Sequence, residues 1–172
     1  YLPNGAVSTV SNYEYWPEDD PNTPDAIKKV ILKDASGAVM SESTYMGPAG
    51  MERVDIVDNT LLQILTTYKY TNTPLHSLPE AQEAMEWVAT ERYGTVKTVQ
   101  IQHFTGLSNE EKVDFTESFE GSLLIRGSQT GYDEYYYGDP VARAAAAKPY
   151  EPLRETWHWD YEDGKQIGGS YG

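Results

Sequence analysis

Between residues 26 and 71 the chain passes from one strand-like stretch to the next with very few residues in between. AIKKVILKD leads through Ser36-Gly37 into AVMSESTYM; GPAG follows at 47–50, then MERVDIVD, then LLQILTTYKYT. In MERVDIVD, Val54 and Ile56 alternate against Glu52, Arg53, Asp55 and Asp58, and in LLQILTTYKYT the residues Leu62, Ile64, Thr66, Tyr68 and Tyr70 fall on one side. A side-chain period of two describes a strand with two different faces. Turns this short make each strand double back against the one before it. The expectation is an antiparallel meander of about four strands.

The spacing then changes. Ser77 with Glu80 three positions on forms a capping box, Pro79 suits a first helical turn, and Ala81, Ala84, Met85 and Val88 recur at helical intervals until Gly94. This predicts one packed helix over 79–93. Beyond it TVKTVQIQHF, EKVDFTESFEG, SLLIRG and GYDEYYYG return to strand composition, with Val113, Phe115 and Phe119 set against Lys112, Asp114 and Thr116. Asp139-Pro140 heads VARAAAAK, read as a short helix ended by Pro149, and 149–154 reads as a proline-bearing linker into a terminal hairpin. A chain of 172 residues buries about 70% of its unfolded surface around one core. The expected fold is therefore α+β, mainly antiparallel β, as a single domain over 1–172, with 139–154 as the short helix and linker.

Charge narrows the function. A net charge of −14 with no basic cluster repels phosphate backbones and anionic lipid, so neither nucleic acid nor a membrane surface is an expected partner. No apolar run approaches the roughly 18 residues a membrane span needs. The absence of cysteine rules out disulfides, Cys-ligated zinc and thiol nucleophiles. No G-x-S-x-G, glycine-rich phosphate loop or H-E-x-x-H occurs, and His76, His103 and His158 are far apart in the chain, so nothing anchors a catalytic site. With 27 acidic residues, composition offers no ground for choosing a glycosidase-like carboxylate pair. Glu18, Asp19 and Asp20, and separately Asp160, Glu162 and Asp163, are the candidates for Ca²⁺, although neither set has calcium-loop spacing. No other cofactor is expected. A chain opening at Tyr1 gives the expectation of a processed product, secreted or displayed on a cell or particle surface.

The 14 tyrosines, 4 tryptophans and 3 phenylalanines supply the buryable area that the aliphatic residues withhold. In ETWHWDYEDGK, residues 155–165, Trp157, Trp159 and Tyr161 project to one side of a strand. Such a row is either the core face of a hairpin or a flat platform for a sugar ring. The core is the expectation, because few other groups can fill the space beneath the hairpin. In YDEYYYG the tyrosines 132, 135, 136 and 137 must point to both faces of the sheet. Tyr135, Tyr136 and Tyr137 are thus candidate protein-contact residues, since exposed tyrosine favours interfaces. Trp157 and Trp159 are the candidates for a glycan.

Tyr13 and Tyr15, the acidic Pro/Asn loop after them, Asp34 to Gly37, Thr44-Tyr45 and Gly50 together make a Y-x-Y strand, a loop, a D-x-x-G turn and a T-x-Y strand closing on glycine. In this, residues 13–50 resemble the YD/RHS-type repeats of secreted and surface proteins, and 156–165 give a second, looser match. The resemblance implies β-hairpins spiralling into a large shell with no enzymatic activity of their own. The functional expectation is a non-enzymatic structural or protein-contact module of an extracellular or particle-surface assembly, partnered by other protein subunits. The alternative is a carbohydrate-binding module with an aromatic platform.

Overall fold

The computed structural model describes residues 8–18, 25–71, 83–94 and 97–172. The strands are β1 (Thr9–Tyr15), β2 (Ile27–Asp34), β3 (Val39–Met46), β4 (Arg53–Asn59), β5 (Ile64–Tyr70), β6 (Met85–Arg92), β7 (Thr98–Thr105), β8 (Lys112–Gly121), β9 (Arg126–Tyr137), β10 (Ala142–Arg143), β11 (Leu153–Glu162) and β12 (Lys165–Tyr171). They form one antiparallel sheet in chain order, except that the two-residue β10 pairs with the end of β9 and leaves β11 to take the next full place. The expected four-strand meander is β2 to β5. Its first turn is held by Asp34, whose Oδ1 accepts from the Ser36 N–H at 2.8 Å, the Ser36 hydroxyl at 2.7 Å and the Ala38 N–H at 3.0 Å.

Among the described residues the sheet is one layer thick: elements pack mainly against their ladder neighbours, and one 3₁₀ turn, Ala144–Ala146, lies over β7, β8 and β9. Ala89, Val99 and Ile101 form the buried cluster, with Trp87, Phe119 and Leu123 against it.

The packed helix expected over 79–93 is not there. Met85–Arg92 is β6, paired to β5 on one side and β7 on the other; the residues at 79–82, and Ser77, lie outside the described residues. Ala84 and Val88 fit a helical period, but the fully buried residue of the strand is Ala89, which that period leaves out and which packs into the core opposite both Thr67 and Ile101. Two flanking ladders satisfy the backbone polar groups of this segment, and that outweighs a weak local helix preference. The alanine-rich segment likewise gives only the β10 bridge and the 3₁₀ turn. SLLIRG is a turn rather than a strand at its start: Ser122 N–H donates to the Ile125 carbonyl at 3.0 Å, and β9 begins at Arg126.

The structure shows a repeat of four strands: β1–β4, then β5–β8, then β9, β11 and β12 in the places of the first three strands of a further unit. Each unit opens on a strand ending Tyr-x-Tyr: Tyr13 and Tyr15, Tyr68 and Tyr70, Tyr135 and Tyr137. After that strand the next N–H always reaches the residue before the following strand. Trp16 donates to Ala26 at 2.9 Å, Thr71 to Ala84 at 2.9 Å, and Gly138 to Pro152 at 3.1 Å. The same bulge follows in each unit, with Tyr15 opposite Ile27, Tyr70 opposite Met85 and Tyr137 opposite Leu153.

The turns between third and fourth strands also match. Gly47 and Gly106 have φ of 119° and 126°, and a Cβ on them would lie 2.8 Å and 2.9 Å from the carbonyl oxygens of Met51 and Glu110. Only glycine fits both that conformation and that approach. Three residues on, Gly50 and Asn109 both take positive φ.

From these turns comes a clasp. Glu52 Oε1 accepts the Ile27 N–H at 3.1 Å, and Glu111 Oε1 accepts the Met85 N–H at 3.0 Å, each reaching back into its own unit. The next residue reaches forward. Arg53 lies 5.0 Å over the Tyr70 ring and bonds the Glu83 carbonyl; Lys112 lies 4.5 Å over the Tyr137 ring and bonds the Glu151 carbonyl. Tyr70 and Tyr137 return hydroxyl bonds to the carbonyls of Val54 and Val113, at 2.9 Å and 2.8 Å. Fourth strands thus join one unit to the next with charge-assisted bonds and cation–π contacts.

Candidate functional site: an aromatic row at the C-terminal edge

Ladder register places Trp159 opposite Tyr132, Trp157 opposite Tyr171, and His103 opposite Phe115. These side chains share one face and form a continuous row across β7, β8, β9, β11 and β12. Ring centroids are 4.1 Å apart for His103 and Phe115, 5.6 Å for Phe115 and Tyr132, and 5.6 Å for Tyr132 and Trp159. Trp159 stacks on Trp157 at 6.2 Å, and Trp157 meets the edge of Tyr171 at 5.3 Å. Cross-strand aromatic pairs of this kind hold a sheet face together.

The row runs from covered to open. It leaves the buried cluster beside Trp87, which pairs with His103, and ends at Trp157 and Tyr171, exposed by 43% and 60%. The expectation that this row is a core face therefore fails at its outer end: Trp159 is half-buried and Trp157 faces solvent. Among the described residues no second layer covers β11 and β12, so alternation alone could not turn these residues inward. A hollow of about 350 Å³ lies between Trp157, Trp159, Gly169 and Tyr171. Gly169, opposite Trp159, lets that ring lie close against the backbone, since a Cβ there would stand 3.3 Å from Trp159 Cδ1 and 2.9 Å from the His158 carbonyl oxygen.

The tyrosines of YDEYYYG are engaged within the protein. Tyr137 is 8% exposed and belongs to the clasp. Tyr136 donates to Glu134 Oε2 at 2.8 Å, and Tyr132 lies 3.3 Å from Glu134 Oε1. Arg143 joins this group, with Nε 3.0 Å from Asp114 Oδ1, Nη1 2.6 Å from Glu134 Oε1, and its guanidinium 5.6 Å over Tyr136. The Glu134 bond pushes the Tyr136 hydroxyl above its ordinary pKa. Tyr135, on the other face, is half-buried with Thr116 Oγ1 3.3 Å from its hydroxyl. Sequence reasoning missed His103, Phe115 and Tyr171 as members of the row, and no local signal marks them: their neighbours are set by ladder register.

On the face opposite Trp157 and Trp159, His158 sits between two carboxylates. Its Nδ1 is 2.6 Å from Asp133 Oδ1 and its Nε2 3.0 Å from Asp160 Oδ1. The bond to Asp133, and then that to Asp160, raise the His158 pKa above its ordinary value. A group that holds its proton more tightly when folded adds stability in full below its unfolded pKa, about 6.5 for histidine, and loses it as pH rises through the folded value. Thermal melts from acid to alkaline should therefore show the parent falling relative to His158→Gln as pH rises past neutrality. Parallel profiles for the two proteins would mean that the pair of carboxylates does not hold the proton.

Among the described residues no group of three or more His, Cys, Asp or Glu side chains is arranged to hold a metal ion. Asp19 and Asp20, two of the calcium candidates, and His76 lie outside the described residues. No described helix is long and apolar enough to cross a membrane. Comparison with protein families, with characterised proteins and with solved structures finds no match.

Proposed function

We propose that the protein is a non-enzymatic structural module of an extracellular or particle-surface assembly, joined to other protein subunits through the edges of its sheet. The observation that carries this reading is that, among the described residues, the sheet has one layer and both of its edge strands are unpaired on their outer side. All seven residues of β1 are exposed, and six of the seven in β12. An unprotected strand edge is a template for pairing with another chain, and here both edges carry large exposed side chains: Tyr13 and Tyr15 on β1, Ile167 and Tyr171 on β12. The extended aromatic row adds contact area beside the β12 edge.

Sedimentation in native extract tests it. The protein is expected to travel in a particle well above its own 19.3 kDa, and the double change Ile167→Lys with Tyr171→Lys should release it as a monomer. Leu61→Lys, in the exposed turn between β4 and β5, should leave the particle intact. A monomer under every condition would overturn the reading.

Carbohydrate binding is the second reading, favoured by the stacked Trp157–Trp159 pair beside an open hollow, since exposed aromatic faces pack on sugar C–H surfaces. A monomeric protein whose binding on a glycan array disappears in Trp157→Ala, with an unchanged melt, would put this reading first.

A further inference from the structure

We propose that His158 is a proton-held latch between β9 and β11, closed while its ring carries a proton on both nitrogens and released when one is lost. The latch sets how firmly β9 holds the backbone of Trp157 and Trp159. It acts in the same way whatever the aromatic row touches, and so stands apart from the contact reading above.

Backbone direction makes the place for it. Thr156 and Gly172 exchange reciprocal bonds of 2.8 Å and 3.0 Å, so Thr156 turns its polar groups towards β12. Alternation along the strand then turns those of Trp157 and Trp159 towards β9, where they meet Glu134 and Tyr132. Asp133 and His158 face each other between these two bonded pairs. A pair in that position has no backbone bonds of its own, and its side chains come closest. Gly131 leaves the ring its space: a Cβ there would already stand 3.6 Å from His158 Cε1.

Both ring nitrogens are engaged. Nδ1 reaches Asp133 Oδ1 across the strands at 2.6 Å, and Nε2 reaches Asp160 Oδ1 along β11 at 3.0 Å. Ionised carboxylates only accept, so the ring must donate twice, which only the imidazolium does. A neutral ring keeps one N–H and turns a lone pair on the other carboxylate. Deprotonation thus removes a charge-assisted bond and leaves two anions beside an uncharged ring.

No neighbour replaces the lost charge. Around the three groups on this face stand Thr116 and Ser118 of β8, Gly131 and Tyr135 of β9, Thr156 of β11, and Gly168 and Ser170 of β12. Tyr135 is the one titratable side chain among them, and Glu120 of β8 and Glu162 of β11 lie farther along their strands. Among the described residues the cations of these four strands, Lys112, Arg126, Arg154 and Lys165, form no ion pair with Asp133 or Asp160. The Asp133 bond first, and the Asp160 bond second, hold the proton more tightly than in an ordinary histidine. The latch is therefore closed at and below the ordinary value of about 6.5 and opens above it.

The test follows the full chain between about pH 5.5 and 9, on either side of that ordinary value. Three signals are read: the nitrogen resonances of the His158 ring, the amide proton positions of Trp157 and Trp159, and their exchange protection corrected for the intrinsic effect of pH. The ring should lose its second proton above about 6.5. As it does, the two amide protons should shift as their bonds to β9 lengthen, and their protection should fall by about tenfold, the scale of one charge-assisted bond. Amide positions in the β6–β7 ladder should hold still. His158→Gln should abolish the step and Asp133→Asn should nearly abolish it. Asp160→Asn should move the step to lower pH and leave it standing, since the cross-strand bond remains.

Fixed amide positions at Trp157 and Trp159 through the titration of the ring would overturn the proposal. So would a ring that loses its proton at or below the ordinary value, an equal shift across β6–β7, or a step that survives in His158→Gln. Should His158→Gln fail to fold, the asparagine variants decide: equal effects of Asp133→Asn and Asp160→Asn would mean that no latch crosses between the strands.

Discussion

Ile101→Ala is expected to destabilise the protein by about 3 kcal/mol, within the range found when a large aliphatic side chain is removed from a packed site. Ile101 is 1% exposed and, among the described residues, shares its cluster with Ala89, Val99 and the half-buried Trp87, Phe119 and Leu123. A two-layer protein could relax side chains from the opposing layer into the gap. Here the neighbours are held on the ladders of β6, β7 and β8, so the cavity stays largely open. Set against the 5–15 kcal/mol that holds a typical domain together, the loss is large. Urea unfolding of the variant beside Leu61→Ala, an exposed turn residue, measures it. The turn variant should stay within about 0.5 kcal/mol of the parent. An equally small loss for Ile101→Ala would mean that this cluster is not what holds the sheet together.

Tyr137→Ala is expected to cost about 3 kcal/mol or more, while the same change at Tyr15 costs under about 1 kcal/mol. The two residues are equivalent in the repeat and differ in what precedes them. Tyr137 has β8 beside it: Lys112 covers its ring and its hydroxyl reaches the Val113 carbonyl at 2.8 Å. Removing the side chain creates a cavity and strips the cation of its ring. Tyr15 ends an edge strand and lies open to solvent. Tyr137→Phe, which deletes only the hydroxyl bond, should cost about 1 kcal/mol. Equal losses at Tyr15 and Tyr137 in chemical denaturation would show that the fourth strand contributes nothing to the junction between units.

The local code was plain where a segment specified its own conformation. The Asp34–Gly37 turn, the strands around it and GPAG at 47–50 follow from period-two alternation and from residues that tolerate a tight reversal. The helix over 79–93 failed because Ala84, Met85 and Val88 satisfy a helical period as well as a strand, and local spacing does not record that β5 and β7 wait on either side. The repeat was present in the letters. Y-x-Y recurs at 13–15, 68–70 and 135–137, and a glycine turn runs into Glu52-Arg53-Val54 and again into Glu111-Lys112-Val113. It reads as a repeat once the clasp shows why glutamate, a cation and tyrosine belong together.

The aromatic row shows where sequence stops. Alternation puts Trp157, Trp159 and Tyr161 on one side of a strand, and that much the chain determines by itself. It does not determine whether anything lies on that side. Burial is a property of two surfaces meeting, and the second surface is set by how many layers the whole chain builds. This chain spends its strands side by side in one sheet, so a row that would be core in a sandwich is covered near Ile101 and open at Tyr171. Turn chemistry and strand period came from neighbours along the chain. The row, the clasp and the free edge came from register between strands, which only the folded sheet fixes.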